Sequence, residues 1–107
     1  MFGRKKHAVD VRSAHHMVTN DGWVIVDVRT RPERKQGGAA GSIHYSLDSL
    51  NQRIPALKGK KVLAICRSGN RSGTAVRILE RNGIEAMNVR GGMIAWDRAG
   101  LPIKKGK

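Results

Sequence analysis

A single cysteine, Cys66, stands among 107 residues, which excludes an internal disulfide framework and any cysteine-rich zinc site. Acidic side chains are scarce as well: 8 Asp and Glu face 21 Lys and Arg, a formal net charge of +13. Aromatic residues make up 4% of the chain. No apolar run approaches the ~18–20 residues that cross a bilayer, so no membrane partner is expected. The basic start, Met1 to Lys6, leads into no apolar stretch of the kind a secretory signal carries. Internal repeats and low-complexity segments are also missing.

What is present is a core. Apolar residues form 39% of the chain and gather in dense Val, Ile and Leu clusters, which a disordered basic tail does not have. One domain is the natural expectation at this length. It is expected over residues 7–103, with basic tails at 1–6 and 104–107, and in the cytoplasm.

Trp23 to Val28 and Val62 to Cys66 are short, nearly continuous apolar runs, the pattern of strands buried on both faces of a parallel sheet. Ile84 to Val89 is a third such strand, and Ser42 to Tyr45 a weaker fourth. Between them the apolar period becomes helical. Leu47, Leu50, Ile54 and Leu57 predict a helix capped by Ser46 and ended early by Pro55. Ala75, Ile78 and Leu79 predict another from Ser72 to Arg81, stopped at Asn82 and Gly83. Ser13 is read as the cap of a helix through Val18, and Met93 to Ala99 as a last helix closed by Gly100 and Pro102. The segment Arg29 to Gly41, with five charges and three glycines, reads as a loop. This alternation implies an α/β fold: a small parallel sheet flanked by helices on both faces.

The stretch Cys66, Arg67, Ser68, Gly69, Asn70, Arg71, Ser72 is where chemistry concentrates. A buried strand ends, small and polar residues follow, and a helix begins. Ligands of open parallel sheets lie beyond the carboxyl ends of the strands. A short loop entering a helix turns several N–H groups toward one point, an anion-binding nest. Gly69 and Asn70 tolerate the left-handed backbone such a curl needs. A free thiol is only about 3% thiolate at pH 7, and this cup, with Arg67 and Arg71 beside it, favours the anion.

These residues resemble the active-site loop of the rhodanese family of sulfurtransferases. Two further stretches agree. Ile25 to Arg29 is similar to the family's Asp-Val-Arg strand end, and Arg90 to Trp96 with Ala99 to Pro102 is similar to its Gly-Gly, Trp, Ala-Gly-Leu-Pro ending. The resemblance runs from about Val9 to Ile103. It implies a rhodanese-like fold and a Cys66 thiolate that takes sulfane sulfur from a small anionic donor such as thiosulfate. The resulting persulfide would pass its sulfur to cyanide or a thiol. It also implies that the N–H groups from Arg67 to Ser72 stabilise the persulfide, that Arg67 holds donor oxygens, and that Arg71 steadies the loop. Ser68 and Ser72 would hydrogen-bond the terminal sulfur. With no second cysteine the acceptor must come from outside, and a sulfur-relay protein is one such partner. No cofactor is implied.

One segment departs from the family. Where Gly-His-Ile-Pro-Gly-Ala is usual, Gly37 or Gly38 through Ile43 stands with neither the His nor the first Ile, so looser packing is expected there. Two other functions compete with the transferase reading: a non-catalytic binding or regulatory module, and a related phosphatase or arsenate reductase. The last pair uses Cys-x5-Arg, sized for a tetrahedral oxyanion, whereas Arg71 makes the loop Cys-x4-Arg and suits a single sulfur. Asp27 and Arg29 read as scaffold, and Trp23 and Trp96 as packing. His7, His15, His16 and His44 lack ligand spacing, so no metal site is expected. The +13 charge raises nucleic-acid binding. Basic residues spread along the whole chain, and the want of any nucleic-acid motif, disfavour it.

Overall fold

The computed structural model describes residues 7–105. At its centre lies a five-stranded, wholly parallel sheet in the order β1-β6-β5-β2-β4. Its strands are β1 (Ala8–Val9), β2 (Val24–Asp27), β4 (Ile43–His44), β5 (Lys61–Ile65) and β6 (Glu85–Val89). The two-residue strands β3 (Gly38–Ala39) and β7 (Ile103–Lys104) pair antiparallel beside it. Five α-helices connect the strands: α1 (Val11–Asn20), α2 (Arg31–Lys35), α3 (Ile54–Leu57), α4 (Asn70–Arg81) and α5 (Gly92–Arg98).

The side-chain alternation of β5 divides the core in two. Val62, Ala64 and then Cys66 face one layer, where Leu50, Ile54 and Leu57 pack with Ala75, Val76 and Leu79 of α4. Leu63 and Ile65 face the other, against Val11 and Ala14 of α1 and Met93 and Trp96 of α5. Each fully buried aliphatic side chain contributes roughly 1.5–3 kcal/mol, and both layers are built from such residues. Helices on both faces around buried parallel strands are what the apolar runs predict. Among the described residues, no helix is long and apolar enough to cross a membrane.

Several local expectations are corrected. The cap of α1 is Asp10, whose carboxylate accepts the Ser13 N–H at 2.8 Å, so Ser13 lies inside the helix and the helix runs on to Asn20. The segment Arg29 to Gly41 is not a loop. Thr30 and Glu33 form a reciprocal capping box that starts α2, and Gly38 and Ala39 form a strand. Residues Leu47–Arg53 wind as a 3-10 helix, and Pro55 sits in the first turn of α3 rather than ending a helix. A proline there gives up only an N–H that has no helical partner. Ser46 makes no capping bond and gives its hydroxyl proton to Asp48 at 2.7 Å. Asn70 is helical, and among the described residues only glycines take positive φ. Lys104, assigned to a tail from sequence, is paired with Gly38. Residues 1–6 and 106–107 of the expected tails lie outside the described residues.

Candidate functional site

Cys66 follows the last residue of β5, the middle strand of the sheet, so it emerges at the carboxyl edge between β2 and β6. The chain then curls. Gly69 takes φ +118°, a conformation side chains other than hydrogen resist. The curl brings its N–H back onto the Cys66 sulfur at 3.1 Å. On the next turn the Ser72 hydroxyl lies 3.2 Å from the same sulfur. Cys66 and Ser72 are 1% and 0% exposed. Arg67, Ser68 and Asn70 are exposed, and Gly69 and Arg71 half-buried. Of the seven predicted residues, the structure sets Gly69 and Ser72 against the Cys66 sulfur, a small cup around it.

An eighth residue, Asn88 of β6, completes it. Its Oδ1 accepts the Ser72 hydroxyl proton at 2.5 Å, and its Nδ2 donates to the Gly69 carbonyl at 3.0 Å. The amide is therefore oriented by two partners that read its two ends differently. A hydroxyl has one proton. While Ser72 spends it on Asn88, a Cys66 thiol donates its own proton to Ser72; when the sulfur is an anion, the hydroxyl must turn toward it. The sequence signal for Asn88 was a polar residue in an apolar strand, beside Ala64 of β5.

Burial pushes the Cys66 thiol pKa up, but the Ser72 hydroxyl and the backbone N–H groups of Ser72, Gly69 and Ser68 outweigh it, and the net displacement is downward. Hydrogen bonds to the anion, rather than arginine charge, lead among the lowering causes. The sequence reading gave Arg71 a direct part in this. Its guanidinium makes a two-pronged bond to Glu33, at 2.7 and 2.9 Å, and its charge still interacts with that of Cys66. That bond, opposed by partial burial and helped by Thr30, holds the Glu33 carboxyl at about 2. Arg71 thereby ties the loop to α2.

Behind the cup, Asp27 is fully buried and faces two cations. Arg29 donates to it at 2.9 and 2.8 Å, and Arg34 at 3.2 Å. Burial pushes its carboxyl pKa up, and the guanidinium bonds carry it below the ordinary value. Here the expectation of loose packing fails. A Cβ on Gly38 would lie 2.7 Å from Arg34 Nη1, so the Arg34 guanidinium fills the volume over that glycine. From there Arg34 also donates to the Ser42 hydroxyl at 2.6 Å and the Ser42 carbonyl at 2.9 Å. Ala39 is 1% exposed.

On the opposite flank α5 lies directly on the loop. The N–H groups of Met93 and Ile94 donate to the carbonyls of Cys66 and Arg67 at 2.8 and 3.1 Å. Gly92 makes this possible. It has φ +56°, and a Cβ there would lie 2.6 Å from the Arg67 carbonyl carbon.

Comparison with known proteins agrees with this architecture. Residues 3–99 match the rhodanese-like domain. An uncharacterized protein of Synechocystis sp., slr1261, is 36% identical over 89 residues, which are 81% of this chain and 50% of that one. A protein named sulfurtransferase from Allochromatium vinosum is 38% identical over 82 residues, 75% of this chain and 77% of its own. The crystal structure of a rhodanese-like domain protein from Staphylococcus aureus superposes with a TM-score of 0.81 at 32% identity, covering 92% of this chain and 98% of that one. The chain spans half the first relative and about three quarters of the second.

Proposed function

The chain belongs to the rhodanese-like domain family, and from that premise we propose that it is a sulfurtransferase that carries sulfane sulfur on Cys66. The observation that carries this reading is a nearly buried sulfur met by the Gly69 N–H and the Ser72 hydroxyl, with its pKa displaced downward. Such a cup stabilises one negative sulfur without demanding the volume of a phosphate.

In the first half-reaction the Cys66 thiolate attacks the outer sulfur of thiosulfate. A new S–S bond forms, the old one breaks, and sulfite leaves with its electron pair. Arg67, exposed at the mouth of the cup, holds the departing oxygens by charge-assisted hydrogen bonds. The loop N–H groups and Ser72 take the charge that settles on the outer sulfur. In the second half-reaction cyanide or a thiolate attacks that sulfur and Cys66 leaves as thiolate. No oxidant enters. Since Cys66 is the only cysteine, the acceptor is a separate molecule. Asn88 and Arg71 position the loop without touching the reacting atoms.

Two measurements test this. Thiosulfate treatment should add the mass of one sulfur to the peptide containing Cys66, and thiocyanate formation from thiosulfate and cyanide should vanish in Cys66→Ala. A reactive thiol that takes up no sulfur, with no thiocyanate formed by the wild type, would overturn the reading and favour a binding module.

A further inference from the structure

Resting on that reading, we propose that Asn88 is a positioning residue of the transfer reaction that competes with the Cys66 sulfur for the single proton of the Ser72 hydroxyl. It holds that proton while the sulfur is uncharged and yields it when the sulfur becomes a thiolate. Strand β6 sets the amide where it can do this. Asn88 pairs with Ala64 on one side and Ala8 on the other, and its backbone N–H is taken by the His7 carbonyl at 2.7 Å. Side chains alternate along a strand, so Asn88 shares a face with Ala86, the face that carries Ala64, Cys66 and α4.

Two bonds fix which end of the amide meets Ser72. The Gly69 carbonyl can only accept, so the atom 3.0 Å from it is Nδ2, and the end left for Ser72 is Oδ1, which also can only accept. Turned end for end, the amide would set its oxygen against the Gly69 carbonyl. The buried Ser72 hydroxyl, 2.5 Å from Oδ1, is therefore obliged to donate to it and has only lone pairs to offer the sulfur at 3.2 Å. A Cys66 thiol fits this arrangement as the donor. A thiolate receives the hydroxyl proton only if Ser72 lets go of Asn88, and Oδ1 then loses its partner.

The exchange follows the charge through the second half-reaction. In the persulfide the Cys66 sulfur is bonded on both sides and uncharged, so Ser72 keeps its proton on Asn88. When an acceptor such as cyanide attacks, a bond forms from the acceptor to the outer sulfur, the Cys66–sulfur bond breaks, and its electron pair settles on Cys66. The hydroxyl turns from Oδ1 to the leaving thiolate. The hydrogen bond to sulfur is thus made where charge develops and not before, which speeds a step rather than tightening a complex. Asn88 acts through Ser72 alone. Charge near the sulfur comes from Arg67 in the loop and from Arg71 of α4, held by Glu33 of α2, with Asp27 of β2 behind, bound by Arg29 and Arg34. Helix α5 meets the loop through backbone N–H groups. Substitution at 72 or 88 leaves all of these in place.

The test is the pH midpoint of the thiolate's ultraviolet absorbance, read from the single cysteine with no reagent having to enter the cup. It is measured in the wild type, Ser72→Ala, Asn88→Leu and the double variant. Asn88→Leu also gives up the Gly69 contact, but it does so in both backgrounds, so the difference between its two shifts isolates the contested proton. Relative to its shift in the Ser72→Ala background, Asn88→Leu should lower the midpoint by roughly 0.5–1 unit, the worth of one hydrogen bond that no longer has to be broken. Equal shifts in the two backgrounds, or a difference of the opposite sign, overturn the inference. A second measurement needs no change at Asn88. Below the midpoint the infrared S–H stretch of Cys66 should lie at lower frequency in the wild type than in Ser72→Ala, as for a thiol that donates to oxygen, and a stretch that Ser72→Ala leaves unmoved overturns the inference as well. Neither readout involves sulfur transfer. A protein that gives both expected results and takes up no sulfur from thiosulfate therefore defeats the sulfurtransferase reading alone.

Discussion

Two segments meet at the carboxyl edge of the sheet, and they are held by opposite means. The Cys66 to Ser72 loop is ordered chiefly through its backbone: Gly69 N–H faces the sulfur, and the carbonyls of Cys66, Arg67 and Gly69 are taken by Met93, Ile94 and Asn88. The Gly37 to Ser42 segment is ordered by side chains, with Arg29 donating to the Gly37 carbonyl at 2.6 Å and Arg34 gripping Ser42 from above Gly38. A backbone-held loop tolerates changes of side chain but not of shape. A side-chain-held segment can exchange one residue for another, provided a neighbour takes over the volume and the charge. The Gly37 to Ser42 segment thus packs tightly because the Arg34 guanidinium fills the volume over Gly38.

The sharpest way to break the side-chain-held half is Asp27→Asn, which leaves Arg29 and Arg34 facing each other without a buried counter-charge. It should cost about 3–5 kcal/mol, read as a lower urea midpoint. Gly92→Ala attacks the backbone-held half by forcing α5 off the loop. Turnover should fall roughly 100-fold, since an ångström of misplacement suffices for that, with a smaller effect on the melting temperature. Gly38→Ala should be milder, about 1 kcal/mol, because the group it meets is the end of a flexible arginine. Ser72→Ala removes a hydroxyl that favours the anion, so the midpoint of iodoacetamide labelling of Cys66 against pH should move upward.

The smallest effect comes from acid. Glu33 in the folded chain titrates at about 2 against an ordinary 4.5, so the stability it contributes is complete above the ordinary value. That stability is lost as the pH falls from there toward about 2. Because the pair is partly solvated, the loss is modest. Glu33→Gln should abolish that share of the pH dependence, and equal slopes for the two proteins would contradict the coupling of α2 to the loop.

The parts legible in the sequence were those with a local signature. The apolar runs announced β2, β5 and β6, and the change from apolar strand to small polar residues to helix announced the cup. Strands β1, β3 and β7 have two residues each, too few to show a period, and exist because a neighbouring strand or segment offers backbone partners. The start of α2 did carry a signal, Thr30 with Glu33 three residues on, hidden among charges that read as loop. Arg34 over Gly38 could not be foreseen, because a side chain filling a glycine's empty volume is a fact of tertiary structure. Asn88 carries only the weak signal of a polar residue in an apolar strand, and its partners, Ser72 and Gly69, are set by the fold.

The depth of Cys66, with 1% of its surface exposed, also decides which sulfur chemistry the molecule is spared. A disulfide between two copies requires their Cα atoms within about 7 Å, a distance that two chains with their cysteines sunk beneath folded loops cannot reach. Air oxidation therefore should not crosslink the protein into dimers, although it has a thiol inclined to ionise. A sulfur added to Cys66 moves the reactive atom about 2 Å outward along the new bond. On the proposed mechanism, the loaded form would then meet a visiting thiol where the bare form cannot meet its twin.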